Sequence, residues 1–149
     1  MRYFSLLAVA ALFLGGVFLT ESPARAADLA RGKAPSGASV FFVNVQDGDT
    51  VSQDVTVKFG VKGIEVKPAS EGLVAGSGHH HLLIDTDVPP GNEPIPNDAT
   101  HKHYGKGQTE DAIHLEPGDH TLQLDFADAA HVQFYPPIVS KKIKIHVQP

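Results

Sequence analysis

Nine histidines stand in this 149-residue chain, and five of them fall between positions 79 and 103. The run His79–His80–His81 and the pair in His101–Lys102–His103 each contain a His-x-His spacing. On an extended strand the side chains alternate, so residues i and i+2 project from one face about 6.6 Å apart. Two imidazoles so placed can converge on one ion. Two such pairs supply four neutral nitrogen ligands, a set suited to Zn(II) or Cu(II). The spacing therefore predicts metal ligation by His79, His81, His101 and His103. Asp85, Asp98 and Glu110 lie close by in sequence as carboxylates for the same site or its surround. His80, His120 and His131 complete the set of possible contributors.

A blander reading stands beside that one. His80 shares a strand face with Leu82 and Ile84, as a hydrogen-bonded core histidine does. His120 shares a face with Leu122 and Leu124 and invites the same reading. His114 and His146 fall on outward faces, and His131 belongs to a segment, 127–137, that reads as a loop.

Other chemistry is excluded by what the chain lacks. It has no cysteine, so disulfides, thiolate nucleophiles, iron–sulfur ligation and blue-copper sites are ruled out. Its single methionine is Met1, which leaves no thioether site for Cu(I). With 17 acidic against 12 basic residues and a net charge of −5, it carries no basic excess for nucleic acid. Gly105–Lys106–Gly107–Gln108–Thr109 is not a phosphate loop, lacking both the spacing and a parallel-sheet context. No G-x-S-x-G nucleophile elbow is present.

The elements that must position the histidines are strands. Val55, Val57, Phe59 and Val61 alternate with polar or small residues, as do Ile143, Ile145 and Val147. His120, Leu122, Leu124 and Phe126 alternate in the same way with Thr121, Gln123 and Asp125. Further strands are expected at 40–45, 79–85 and 112–115, with a short one at 64–66. Glu116–Pro117–Gly118–Asp119 reads as the turn of a hairpin. No sustained helical period occurs beyond the first residues. About seven short strands predict an all-β, immunoglobulin-like antiparallel β-sandwich over residues 40–149. Val88–Thr100, with four prolines, reads as a stiff functional loop. Residues 27–39 read as a loose leader.

The first 26 residues have the form of a secretory signal peptide. Arg2 precedes an apolar run from Leu6 to Leu19, and Ala24–Arg25–Ala26 forms a cleavage signature. The run is 14 residues, short of the ~20 that a membrane-spanning helix needs. The expectation is a periplasmic or secreted protein with no membrane span after cleavage. Cleavage after Ala26 places Ala27 first, which excludes a copper site built on an N-terminal histidine.

Gly78–His79–His80–His81–Leu82–Leu83–Ile84–Asp85 and Pro94–Ile95–Pro96–Asn97–Asp98 resemble a bacterial family, domain-of-unknown-function family 4399. So do the run His101 to Glu110, the run Pro117 to Leu124 and Pro136–Pro137–Ile138–Val139–Ser140. The resemblance spans most of 40–147 and implies a small exported bacterial domain, without assigning a reaction. The family pattern carries a second histidine near His131, where this chain has only one. It has Phe where this chain has Tyr104.

Three functions follow. The first is a metal-binding protein holding Zn(II) or Cu(II) for buffering, delivery or fixing the proline loop. The second is a metal-free module that binds a cell-envelope partner through that loop. The third is a metal-dependent enzyme, hydrolytic or dismutase-like. His101–Lys102–His103–Tyr104–Gly105 is faintly similar to a copper–zinc superoxide dismutase segment, but no bridging histidine or disulfide can be assigned.

Overall fold

The computed structural model describes residues 30–149, and the segment read as a signal peptide lies outside them. Ten strands form in chain order: β1 Ser39–Phe42, β2 Thr50–Val51, β3 Asp54–Lys62, β4 Glu65–Val66, β5 Ser77–Ile84, β6 His101–His103, β7 Glu110–His114, β8 Gly118–Ala127, β9 Gln133–Val139 and β10 Ile143–Val147. One short 3-10 turn, Ala69–Glu71, is the helical content of the described residues. Alternation explains most of the strands. In β3 the side chains of Val55, Val57 and Phe59 are buried while Thr56 and Lys58 face solvent. In β10 the buried Ile143, Ile145 and Val147 alternate with exposed Lys144 and His146.

The strands make two sheets. One has the order β1–β3–β7; the other runs β2–β10–β8–β5–β4, with β6 added to β5 and β9 to β8. Most pairings are antiparallel, but β2 with β10 and β4 with β5 are parallel. Between the sheets lies the main core, where Val55, Val57 and Phe59 meet Leu82, Leu122, Leu124 and Phe126. Each such fully buried side chain contributes about 1.5–3 kcal/mol.

The position of β5 matters most for function. Every one of its eight residues is buried. Strand geometry sends His80, Leu82 and Ile84 toward the main core and His79, His81 and Leu83 to the other face. That second face is covered by the proline-rich segment. Ile95 N–H donates to the His131 carbonyl at 2.8 Å, and Pro94 bridges Val132. The Gln133 side chain donates to the Pro89 carbonyl at 3.0 Å. Beneath this cover Leu83, Ile95, Val132 and Ala127 are buried together with the polar His79, His81, Asp125 and Gln133. The second face thus carries a small mixed core of its own.

Four expectations are revised. Among the described residues the strand count is ten, because β2, β6 and β9 lack a legible alternation. Residues 116–119 are a crossover, since β7 pairs with β3 while β8 pairs with β5, β9 and β10. Residues 133–137, read as loop, begin β9 despite Pro136 and Pro137. The pairing registers Ala127 with Gln133 but Phe126 with Ile138, so the prolines sit in an irregularity where no ladder donor is needed. The described part of the leader is fastened to β9: Tyr135 N–H donates to the Gly32 carbonyl, and Ala34 N–H to the Tyr135 carbonyl.

Candidate metal centre

Two strands and one loop bring four histidines to a common point. His79 and His81 share the covered face of β5, and their ring centroids lie 4.8 Å apart. β6 pairs with β5 so that His103 stands opposite His81. The glycine at 105 is required here, because a Cβ at that position would overlap the His103 ring. His131 comes from the 128–132 loop. There the Asp128 carboxylate accepts from the backbone N–H of Ala130 and Val132, and the Asp128 carbonyl accepts from His131 N–H. This tight loop holds His131 at a φ of 65°, a left-handed conformation that a non-glycine residue adopts at a cost of about 1–3 kcal/mol.

The Nε2 atoms converge. His103 Nε2 is 3.1 Å from His79 Nε2 and 3.0 Å from His131 Nε2. One candidate ligand atom from each of His79, His81 and His103 falls within 4.8 Å of the others. With metal–nitrogen bonds of 2.0–2.1 Å, neighbouring ligands are ~3.3 Å apart in a tetrahedron and about 2.9 Å in a square plane. The His79–His103 and His103–His131 separations lie between the two.

Hydrogen bonding alone does not account for this packing. An imidazole nitrogen carries one proton or one lone pair, so His103 Nε2 cannot satisfy both of its neighbours. His79 Nδ1 and both ring nitrogens of His81 are buried without any hydrogen-bond partner. Each such orphan costs about 1–3 kcal/mol. Burial, reinforced by the neighbouring imidazoles, pushes His79 down to about 3 and His81 to about 2. His103 is lowered by burial and then by His131. These rings are neutral at pH 7, the form that ligates metal.

A family model described as a domain of unknown function, DUF4399, matches residues 57–148. The chain belongs to this family. The matched stretch of the DUF4399 domain runs from within β3 through β10 and includes all four clustered histidines. No curated protein and no solved structure matches the chain.

The remaining sequence-predicted residues of the DUF4399 domain lie elsewhere. His101 is two register positions beyond the His81–His103 pair, opposite Leu83, and its Nδ1 is 2.9 Å from Asp98 Oδ1. The bond to His101, with those from Thr100, lowers the Asp98 carboxyl. His131 thus stands with His79, His81 and His103 where His101 was expected. Asp85 pairs with His120 at 2.6 Å, away from the cluster on β5 and β8, and Glu110 pairs with Lys58 at 3.6 Å. His80 lies in the main core between Phe59 and Phe126, at ring distances of 5.3 and 5.2 Å. Burial pushes it down to about 4, against a weaker pull from backbone groups of Gln108 and Gly60, although no hydrogen bond of ordinary geometry reaches its ring.

Sequence reasoning passed over Asp125 in the DUF4399 domain. It alternates with apolar residues as an exposed position does, yet it is fully buried. Its Oδ2 accepts from Gln133 at 2.8 Å while Oδ1 has no partner, and burial pushes the carboxyl up to about 7. Among the described residues, no helix is long and apolar enough to cross a membrane.

Proposed function

We propose that this protein is an exported metal-binding protein that holds one Zn(II) or Cu(II) ion through His79, His81, His103 and His131. The reading is carried by the Nε2 atoms of His79, His103 and His131, which stand at ligand-to-ligand spacing beside His81, a ring buried with neither nitrogen partnered. A cation accepts the lone pairs that no protein group takes. An all-imidazole set of four suits Zn(II) in tetrahedral and Cu(II) in tetragonal geometry. With four protein ligands the site is of the closed kind that structural and carrier centres use, without the open position of a catalytic one. Export rests on the N-terminal sequence: Arg2, the apolar run and Ala24–Arg25–Ala26 together support a periplasmic or secreted location.

Metal content of untagged protein, measured by mass spectrometry after reloading with Zn(II) or Cu(II), tests the reading. About one ion per chain is expected in the natural protein and none in His79→Ala/His81→Ala. Absence of metal from the natural protein after reloading would overturn it.

A further inference from the structure

Four neutral imidazoles bring no negative charge to a divalent ion, and such an ion in a buried site needs an anion nearby. The described residues have two buried aspartates, Asp125 and Asp128. Asp128 is committed to its own loop, with Oδ1 accepting from Ala130 and Val132. Asp125 is different. It stands directly opposite His81 in the β5–β8 register, on the same covered face. Directly opposed residues in an antiparallel pair have Cβ atoms about 4.5–5.5 Å apart. Asp125 Oδ2 is held by Gln133, which is itself fastened to the Pro89 carbonyl and, through its own carbonyl, to Arg31 Nε at 3.1 Å. Its Oδ1 is buried with no partner, and so are both ring nitrogens of the histidine it faces.

We propose that Asp125 is the anionic partner of the histidine centre, accepting the His81 ring N–H that points away from the ion and favouring a divalent over a monovalent cation. The proposal rests on the metal-binding reading above. A carboxylate behind a ligating histidine fixes the ring tautomer and raises its basicity. Its charge also acts on the ion itself. By Coulomb's law that attraction is twice as large for a charge of two as for a charge of one. Asp125 is a positioning residue: His81, not Asp125, carries the ligand atom.

The test is Asp125→Asn, which keeps the shape and removes the charge, titrated with Zn(II) and with Ag(I) as a redox-inert monovalent probe. Zn(II) affinity should fall about 10- to 100-fold. Ag(I) affinity should fall only by the square root of that factor, about 3- to 10-fold. A merely structural role predicts equal losses for both ions. Equal losses, or unchanged Zn(II) affinity, overturn the proposal. Nitrogen-15 NMR of the Zn-loaded natural protein tests it independently of whether the variant folds. A slowly exchanging His81 ring N–H is expected, and its absence overturns the proposal. Failure of the natural protein to bind either ion overturns the underlying reading as well, whereas normal binding with an unaffected Asp125→Asn removes only the role of Asp125.

Discussion

Two groups of histidines divide this molecule. His101, His114, His120 and His146 each place Nδ1 against an aspartate oxygen, at 2.9, 2.8, 2.6 and 2.8 Å respectively. His79, His81, His103 and His131 have no carboxylate hydrogen bond among the described residues and face one another. The first group sets each imidazole against a carboxylate that accepts its Nδ1 proton. His120 shows this most clearly, since Asp85 and the Glu116 carbonyl are both acceptors and occupy both ring nitrogens. In the second group burial keeps His79, His81 and His103 neutral, and both ring nitrogens of His81 are left without a partner. One residue type thus serves opposite ends, and the partner at Nδ1 decides which.

That contrast is sharpest in the response to metal. Zn(II) at about a thousandfold excess over its dissociation constant should stabilise the fold by roughly 4 kcal/mol. At about 4 °C per kcal/mol this is a rise on the order of 15 °C in Tm, read by calorimetry. A chelator should reverse it, and His79→Ala/His81→Ala should show no rise at all.

Acid should act on the same group. His79, His80 and His81 have depressed values in the folded chain, so between pH 6.5 and about 4 the unfolded chain binds more protons than the folded one. Stability from these groups is present above pH 6.5 and is lost as pH falls. Asp125, raised to about 7, works in the opposite direction over the same range, its cost growing as pH rises. The four depressed histidines, His103 included, outweigh the raised Asp125 and the weakly buried His114 and His120, which their aspartates raise. The metal-free protein should therefore lose a few kcal/mol between pH 6.5 and 5, measured by denaturant unfolding. Unchanged stability across that interval would break the contrast.

Single substitutions refine the boundary between the groups. His131→Ala should weaken metal binding by at least tenfold, whereas His101→Ala should leave it within about twofold, both by competition titration. The smallest effect belongs to the surface: His114→Ala should leave Tm unchanged within the error of calorimetry, since its pairing with Asp54 is solvent-exposed.

These residues also show what the sequence could and could not convey. Alternation located β3, β8 and β10 because each has a face that must be dry, and a near-continuous apolar stretch located β5, which is dry on both faces. The alignment of His79 with His81 was legible because strand spacing alone aligns i and i+2; that His103 joins them depends on the β5–β6 register. The exchange of His101 for His131 was not legible. It depends on β6 pairing in a register that sets His103, and not His101, against His81, and on a loop folded around Asp128. Asp125 was hidden for a related reason. Alternation marks a residue as facing away from the main core, but it cannot reveal that the proline-rich segment returns to cover that side.

The hydrogen bond from Ile95 to the His131 carbonyl has a kinetic consequence. On the proposed metal-binding reading, it ties His131 to the segment that covers His79 and His81, so that loss of the ion and lifting of that segment would become one event. Residence time would then be governed by how often residues 88–100 open, and not by the strength of a competing acceptor in solution. In a chelator chase the release rate should be independent of chelator concentration, the behaviour of a store that opens on its own schedule or when a recipient lifts the segment.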